Sequence, residues 1–279
     1  MTTLDIAPPA ETARRPGVSH TFWAMLARDA RVVLRKQLFT FLSRVLVQPL
    51  LFMFVFSYVL PAAHLSPAAG SVSYSTIMIP GILATTMIYS GIMGVSVPLI
   101  SQMSFPREIE DRLLAPIPLW ALALQKITSG AVQALLAAIC VFPVLYFTHA
   151  PGESPVLQVT SWPLFAAVVV SGALLSSCLG LLLGTIIDPT QFNLLFTVIM
   201  MPALMLGCVY YPWAALGNVP WLQVIVLFNP IVYLSEALRA VLTPVMPHMP
   251  QWAFMLALVG GTLATGLASI RFFRNAVSK

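Results

Sequence analysis

The chain has 279 residues, of which 59% are hydrophobic and only 8% charged, with a net charge of +5 and a mean hydropathy of +0.90. Soluble domains carry about 25% charged residues, and no soluble core buries this much apolar surface, so the solvent for most of the chain is lipid. A basic total can signal nucleic acid, but no basic patch here is interleaved with exposed aromatics, and nucleic acid is excluded as a partner.

In chain order, residues 1–19 (MTTLDIAPPAETARRPGVS) are rich in Pro, Ala and Thr and predict a cytoplasmic tail without fixed structure. The apolar run that follows is too long for a cleavable signal. Over 20–37, Phe22, Leu26, Ala30, Val33 and Leu34 recur at helical spacing, while Arg28, Arg31 and Arg35 line another face. That pattern predicts an interfacial helix whose arginines reach anionic headgroups of membrane lipids.

Crossing a bilayer core of roughly 30 Å takes about 20 helical residues. Six runs are long enough: 38–60, 74–101, 120–147, 162–187, 192–211 and 251–271. The predicted fold class is therefore an all-α integral membrane protein, with six transmembrane helices over 38–271. Arg14, Arg15, Arg28, Arg31, Arg35, Lys36 and Arg44 flank the first span. Arg107, Arg112 and Lys126 are counted between spans two and three, and Arg271, Arg274 and Lys279 close the chain. With six spans all of these share one side and only Arg239 lies on the other. Both termini are predicted cytoplasmic, with 272–279 a second tail.

The fourth span carries Gly172, Ser176, Gly180 and Gly184 at i+4 steps, a stripe that lets another helix approach closely. The stripe does not say whose helix that is; packing within the same subunit is the favoured reading. Gly260, Ala264 and Ala268 repeat it more weakly in the last span.

Two segments break the membrane pattern. In Ser104–Pro118 (SFPREIEDRLLAPIP), Pro106 starts a helix with Glu108, Glu110 and Asp111 in its first turns, and Pro116 and Pro118 end it. Ile109, Leu113 and Ile117 form an apolar stripe, so this cytoplasmic helix reads as built to dock into a soluble partner. The second segment is 212–250, on the outer side. Its part WLQVIVLFNPIVYLSEALRAVL (221–242) is apolar enough for a span, but Asn229–Pro230 interrupts it and Glu236 and Arg239 lie near its end. Counting it as a span would carry the last basic residues outside. It is predicted to be a re-entrant helix–break–helix hairpin, with Glu236 and Arg239 paired on one face.

Motifs of chemistry are missing. No G-x-x-x-x-G-K-[ST] loop is present, so the chain does not bind ATP in the P-loop manner. His64, His149 and His248 are scattered without ligand spacing, and Cys140, Cys178 and Cys208 sit in apolar runs as small hydrophobes. No catalytic or metal residues are predicted, and an enzyme is disfavoured. An ion-coupled secondary transporter is the weaker rival, because it needs an ionisable midplane residue or inverted repeats.

The chain resembles bacterial type-2 ABC permeases, the group that contains the daunorubicin-resistance and nodulation lipo-oligosaccharide export permeases. The resemblance is densest in YSTIMIPGILA (74–84), FPREIEDRLLAPIP (105–118) and GCVYYPWAALGNVPWLQVIVLFNPIVYLSEALR (207–239). The middle stretch resembles the family's R-E-x-x-x-x-L-x-x-P-x-P element, through Arg107, Glu108, Leu113, Pro116 and Pro118. The last is similar to its F/Y-P…L-P…N-P-[IL]-x-Y…R signature, through Tyr211, Pro212, Val219–Pro220, Asn229, Pro230, Tyr233 and Arg239; Val219 stands where leucine is usual. The resemblance implies an exporter permease for an amphipathic substrate (drug-like molecule, lipid or glycolipid), or a polysaccharide exporter of the same architecture. It implies 20–37 as a connecting helix and 106–117 as the coupling helix, with Arg107, Glu108, Ile109, Asp111, Arg112, Leu113 and Leu114 meeting the ATPase. It makes 212–245 an outer gate, with Pro212, Asn229, Pro230, Tyr233, Glu236 and Arg239. It also implies a second copy of the chain and two copies of a separate ABC ATPase, which would hold the ATP and Mg; this chain would bind no cofactor.

Overall fold

The computed structural model describes residues 18–63, 73–104, 118–151, 154–187, 191 and 196–277. The coupling helix expected at 106–117 lies outside the described residues, as do positions 1–17 of the expected N-terminal tail. Every regular element among the described residues is helical. Helix α1, Val18–Arg31, starts two residues before the expected boundary and runs into a π-turn, Val32–Lys36.

Among the described residues five helices are long and apolar enough to cross a membrane: α2 (Leu38–Ala62), α3 (Tyr74–Ser104), α4 (Leu119–Phe147), α5 (Trp162–Ile186) and α9 (Gln251–Val277). Lipid leaves backbone N–H and C=O groups no outside partner, so each run closes its own helical ladder, α2 through a π-helical stretch over Phe54–Val59. At about 1.5 Å per residue each exceeds the bilayer core. The chain is an all-α integral membrane protein.

The fifth expected span, 192–211, ends earlier than expected, and its first four residues lie outside the described ones. Its described part is a π-turn, Phe196–Met200, running into α6, Met201–Met205, and helix stops there. Residues 206–211 are non-helical, and Cys208 takes a φ of 52°. The reason lies in where their carbonyls point: those of Gly207 and Cys208 turn inward to buried side chains of a later helix. Non-helical backbone at this depth survives only when protein satisfies it.

Helix α3 is the centre of the bundle, packed against α4, α5 and, near its start, α8 (Pro230–Leu242). Small residues set the approach of α3 and α5. A Cβ on Gly91 would lie 2.0 Å from Ser176 Oγ, and one on Gly180 would lie 2.8 Å from the Ile92 Cα. Gly184 faces Ser96 and Leu99 of α3, and Gly172 faces Leu234 of α8. All four stripe residues thus meet neighbours in the same chain. The first member of the weaker stripe does not: nothing lies within 4 Å of a Cβ built on Gly260. Around this centre α2 and α9 expose apolar side chains such as Phe39, Leu51, Leu256 and Leu267, as surfaces facing lipid do.

The two ends of the bundle are distinct. At one end Phe273 of α9 clusters with Leu99 of α3 and Ala123 of α4. There the Gln125 side chain of α4 donates to Asp29 Oδ2 of α1 at 2.8 Å. At the other end the Tyr74 hydroxyl at the start of α3 donates to the Tyr210 carbonyl at 3.1 Å, and Gln158 N donates to Leu242 O at 2.9 Å.

Candidate functional site

At that second end a helical hairpin is built around one dipeptide. Proline disfavours helix at the residue before it, and Asn229 accordingly adopts an extended conformation, φ −91° and ψ 116°. The two helical arms, Pro220–Phe228 and Pro230–Leu242, meet there at 100°. The first arm opens with α7, Pro220–Ile225, and the second is α8. Thirteen residues of α8 give roughly 20 Å, short of a crossing.

Asn229 serves both arms. Its Oδ1 accepts from Ile231 N at 3.1 Å, capping α8, while its Nδ2 donates to the Ala203 carbonyl of α6 at 2.6 Å. The Tyr233 hydroxyl donates back to Leu227 O at 2.8 Å, and Pro230 occupies the first helical turn, where its missing N–H costs nothing. Pro212 precedes a 3₁₀ segment, Trp213–Asn218, whose Ala215 N donates to the Pro212 carbonyl. The arms differ in surroundings. Trp221, Val224, Ile225 and Phe228 of the first arm are exposed, whereas α8 is almost wholly buried.

Inside α8, Glu236 and Arg239 are both fully buried and paired, Arg239 Nη1 donating to Glu236 Oε1. Each also holds backbone from elsewhere. Glu236 Oε1 accepts from Trp213 N and Oε2 from Met249 N, both at 2.9 Å. Arg239 Nη2 donates to Cys208 O at 3.1 Å and to Ile77 O at 3.4 Å, and Ser235 Oγ donates to Gly207 O at 2.9 Å. The pair therefore ties α8 to α3, to the segment after α6, to the 3₁₀ turn and to the approach of α9. A buried pair is tolerable when its remaining valences are largely met in this way; of the two side chains only Arg239 Nε lacks a partner among the described residues.

The expected gate residues Pro212, Asn229, Pro230, Tyr233, Glu236 and Arg239 are brought together at this end. The expected coupling residues, Arg107, Glu108, Ile109, Asp111, Arg112, Leu113 and Leu114, lie outside the described residues.

Sequence reasoning missed a second feature, at the opposite end. A cavity of about 560 Å³ lies between α1, α2, α3 and α4, with Arg28, Asp29, Arg44, Lys126 and Gln133 in its walls. Lys126 is not in a loop, as the charge count had placed it; it is buried two turns inside α4. The signal available was Arg44 and Lys126 each falling inside an apolar run, where a charge needs a reason.

The chain matches the family described as "ABC-2 type transporter" over residues 20–243. It is similar to the "Inner membrane transport permease YadH" of Escherichia coli strain K12, with 29% identity over 169 residues, covering 60% of this chain and 62% of that protein. The protein of the same name from Shigella flexneri aligns with the same figures. The chain thus spans less than two thirds of the length of these curated relatives.

Proposed function

The chain belongs to the ABC-2 type transporter family, and we propose that it is the permease subunit of an ATP-driven exporter of amphipathic molecules. The carrying observation is the extent of the family match, which takes in the segment 106–117 and the whole α7–α8 hairpin. ATP and Mg would be bound by a separate ABC ATPase, two copies of it serving two copies of this chain, and no ATP by this chain itself. Arg107, Glu108, Ile109, Asp111, Arg112, Leu113 and Leu114 would receive the ATPase's movement as a coupling helix between α3 and α4.

The hairpin would cap the path on the outer side. Because Glu236 and Arg239 bind α8 to α3, to the segment after α6, to the 3₁₀ turn and to the approach of α9, a shift of α3 would carry the hairpin with it as one unit. The excess of Lys and Arg beside α1, the end of α3 and the end of α9 favours the cytoplasmic side of the inner membrane for both termini.

The test is co-purification with an ABC ATPase encoded beside this chain, followed by reconstitution in proteoliposomes. Mg-dependent, vanadate-sensitive movement of a fluorescent amphiphile supports the reading. Movement driven by a proton gradient without ATP, or no association with an ABC ATPase, overturns it. Leu113→Asp should insert normally yet lose the ATPase; normal co-purification and transport by that variant would remove the coupling role from 106–117.

A further inference from the structure

The cavity between α1, α2, α3 and α4 has an unusual depth and charge. Arg44 is six residues into α2 and Lys126 seven into α4, so they lie about 9 and 10 Å below the helix ends. On α3 the lining runs from Ser101 up to Met93, about 16 Å from Ser104. For helices of span length, such a depth falls among headgroups and upper acyl chains. The cavity is lined by three cations, Arg28, Arg44 and Lys126, against one described carboxylate, Asp29. That carboxylate is already engaged, accepting from Gln125 at 2.8 Å and from Arg28 at 3.2 Å. Arg44 Nε is buried with no hydrogen-bond partner among the described residues, and its guanidinium carbon sits 5.9 Å over the Phe41 ring. A buried guanidinium N–H without an acceptor is costly, and an anion is the acceptor it is shaped for.

We propose that this cavity binds the phosphate headgroup of an anionic amphiphile entering from the leaflet on the α1 side. Arg44 would take the phosphate oxygens, with Lys126 and Gln133 beside it. The apolar walls, Val33, Phe41 and Val97, would accept the first carbons of the tails. A volume of about 560 Å³ falls in the range of sites that hold a small ligand. The proposal deepens the transport reading and rests on it for calling that leaflet cytoplasmic; the site itself does not depend on the ATPase.

The test uses the whole chain in detergent micelles, without ATPase or ATP, and native mass spectrometry with dioleoyl phosphatidylglycerol, dioleoyl phosphatidylcholine and inorganic phosphate. One phosphatidylglycerol per chain should be retained about tenfold more tightly than phosphatidylcholine, and Arg44→Gln should abolish that preference. Arg44→Gln should melt close to the parent, because its Nε has no hydrogen bond to lose and the contact over Phe41 is the one described interaction that goes. Equal retention of both lipids, or an unchanged preference in Arg44→Gln, overturns the proposal. Displacement of phosphatidylglycerol by millimolar inorganic phosphate would mean a free-anion site and would overturn the amphiphile assignment. Should Arg44→Gln fail to fold, Ser101→Cys in a cysteine-free background reads the same cavity. Phosphatidylglycerol, and not phosphatidylcholine, should slow its reaction with a thiosulfonate, and equal rates refute the site. Intact lipid binding without ATP-driven transport would count against the transport reading alone.

Discussion

Glu236 and Arg239, one turn apart on α8, form an ion pair with no exposed surface on either side chain. What makes the pair tolerable is its surroundings: two backbone N–H groups bind the carboxylate and two carbonyls bind the guanidinium, although its Nε has no hydrogen-bond partner among the described residues. Glu236→Gln or Arg239→Gln alone should strand the partner's charge and cost about 3–5 kcal/mol. The double variant should cost clearly less than the sum, yet remain below the parent, because backbone bonds are weakened with the charges. Folded yield and melting temperature in detergent read the cycle. Small, additive losses would mean that the pair is solvated.

Among the described glycines, the tightest fit against another segment's backbone lies at Gly81 of α3. A Cβ there would stand 2.3 Å from Val209 O and 2.5 Å from Val209 Cα, backbone atoms that cannot rotate away. Gly81→Ala should therefore cost about 3 kcal/mol or more, at or above the upper range for overpacking. Gly260→Ala, with nothing within 4 Å of the new methyl, should be neutral or slightly stabilising in the isolated chain. Thermal unfolding of the two variants side by side separates steric conflict from any general intolerance of glycine loss.

Much of this architecture is written locally and so is readable without coordinates. Apolar runs give the long helices, Asn229–Pro230 gives the bend, and the i+4 spacing of Gly172, Ser176, Gly180 and Gly184 gives a close-packing face. What could not be read is long-range. Nothing in the neighbourhood of Arg239 says that its acceptors are the carbonyls of residues 162 and 31 positions away. The end of α6 at Met205 was hidden for a related reason. The left-handed turn is made by Cys208, not by a glycine that would announce it, and it holds because Arg239 and Ser235 bind the carbonyls beside it. Arg44 and Lys126 were read as orientation charges because a charge count sees sidedness and not depth.

Asn229 offers a prediction in which similar side chains behave differently. Asn229→Ala loses both the cap to Ile231 and the donor to Ala203, for about 1–3 kcal/mol. Asn229→Asp keeps the capping oxygen but sets a carboxylate oxygen against the Ala203 carbonyl, where the amide nitrogen now lies at 2.6 Å. Aspartate should thus be the worse substitution despite its equal quality as a helix cap. If Asp melts at or above the temperature of the parent, the link between the hairpin and α6 is not made through Nδ2.

The last prediction concerns sidedness, and it follows from which helix ends touch. Phe273, near the end of α9, packs with Leu99 near the end of α3 and Ala123 near the start of α4. Met249, just before α9, donates to Glu236, whose partner Arg239 reaches Ile77 near the start of α3. Helices α3 and α9 therefore run the same way, and the chain after α9 emerges on the side where α3 ends. A hairpin that turned 221–242 into a full crossing would reverse α9 and separate Phe273 from Leu99 by the thickness of the membrane. In a cysteine-free background, Glu110→Cys and Ala276→Cys should consequently behave alike toward an impermeant maleimide, unlabelled in intact cells and labelled once the membrane is opened. Ser66→Cys and Glu153→Cys, in the segments between α2 and α3 and between α4 and α5, should react from outside in intact cells. Labelling of Ala276→Cys from outside while Glu110→Cys stays protected would show an odd number of crossings between them, and the hairpin would have to be redrawn as a span. Labelling of both from outside, with Ser66→Cys protected, would keep the hairpin and invert the whole protein in the membrane, against the Lys and Arg distribution.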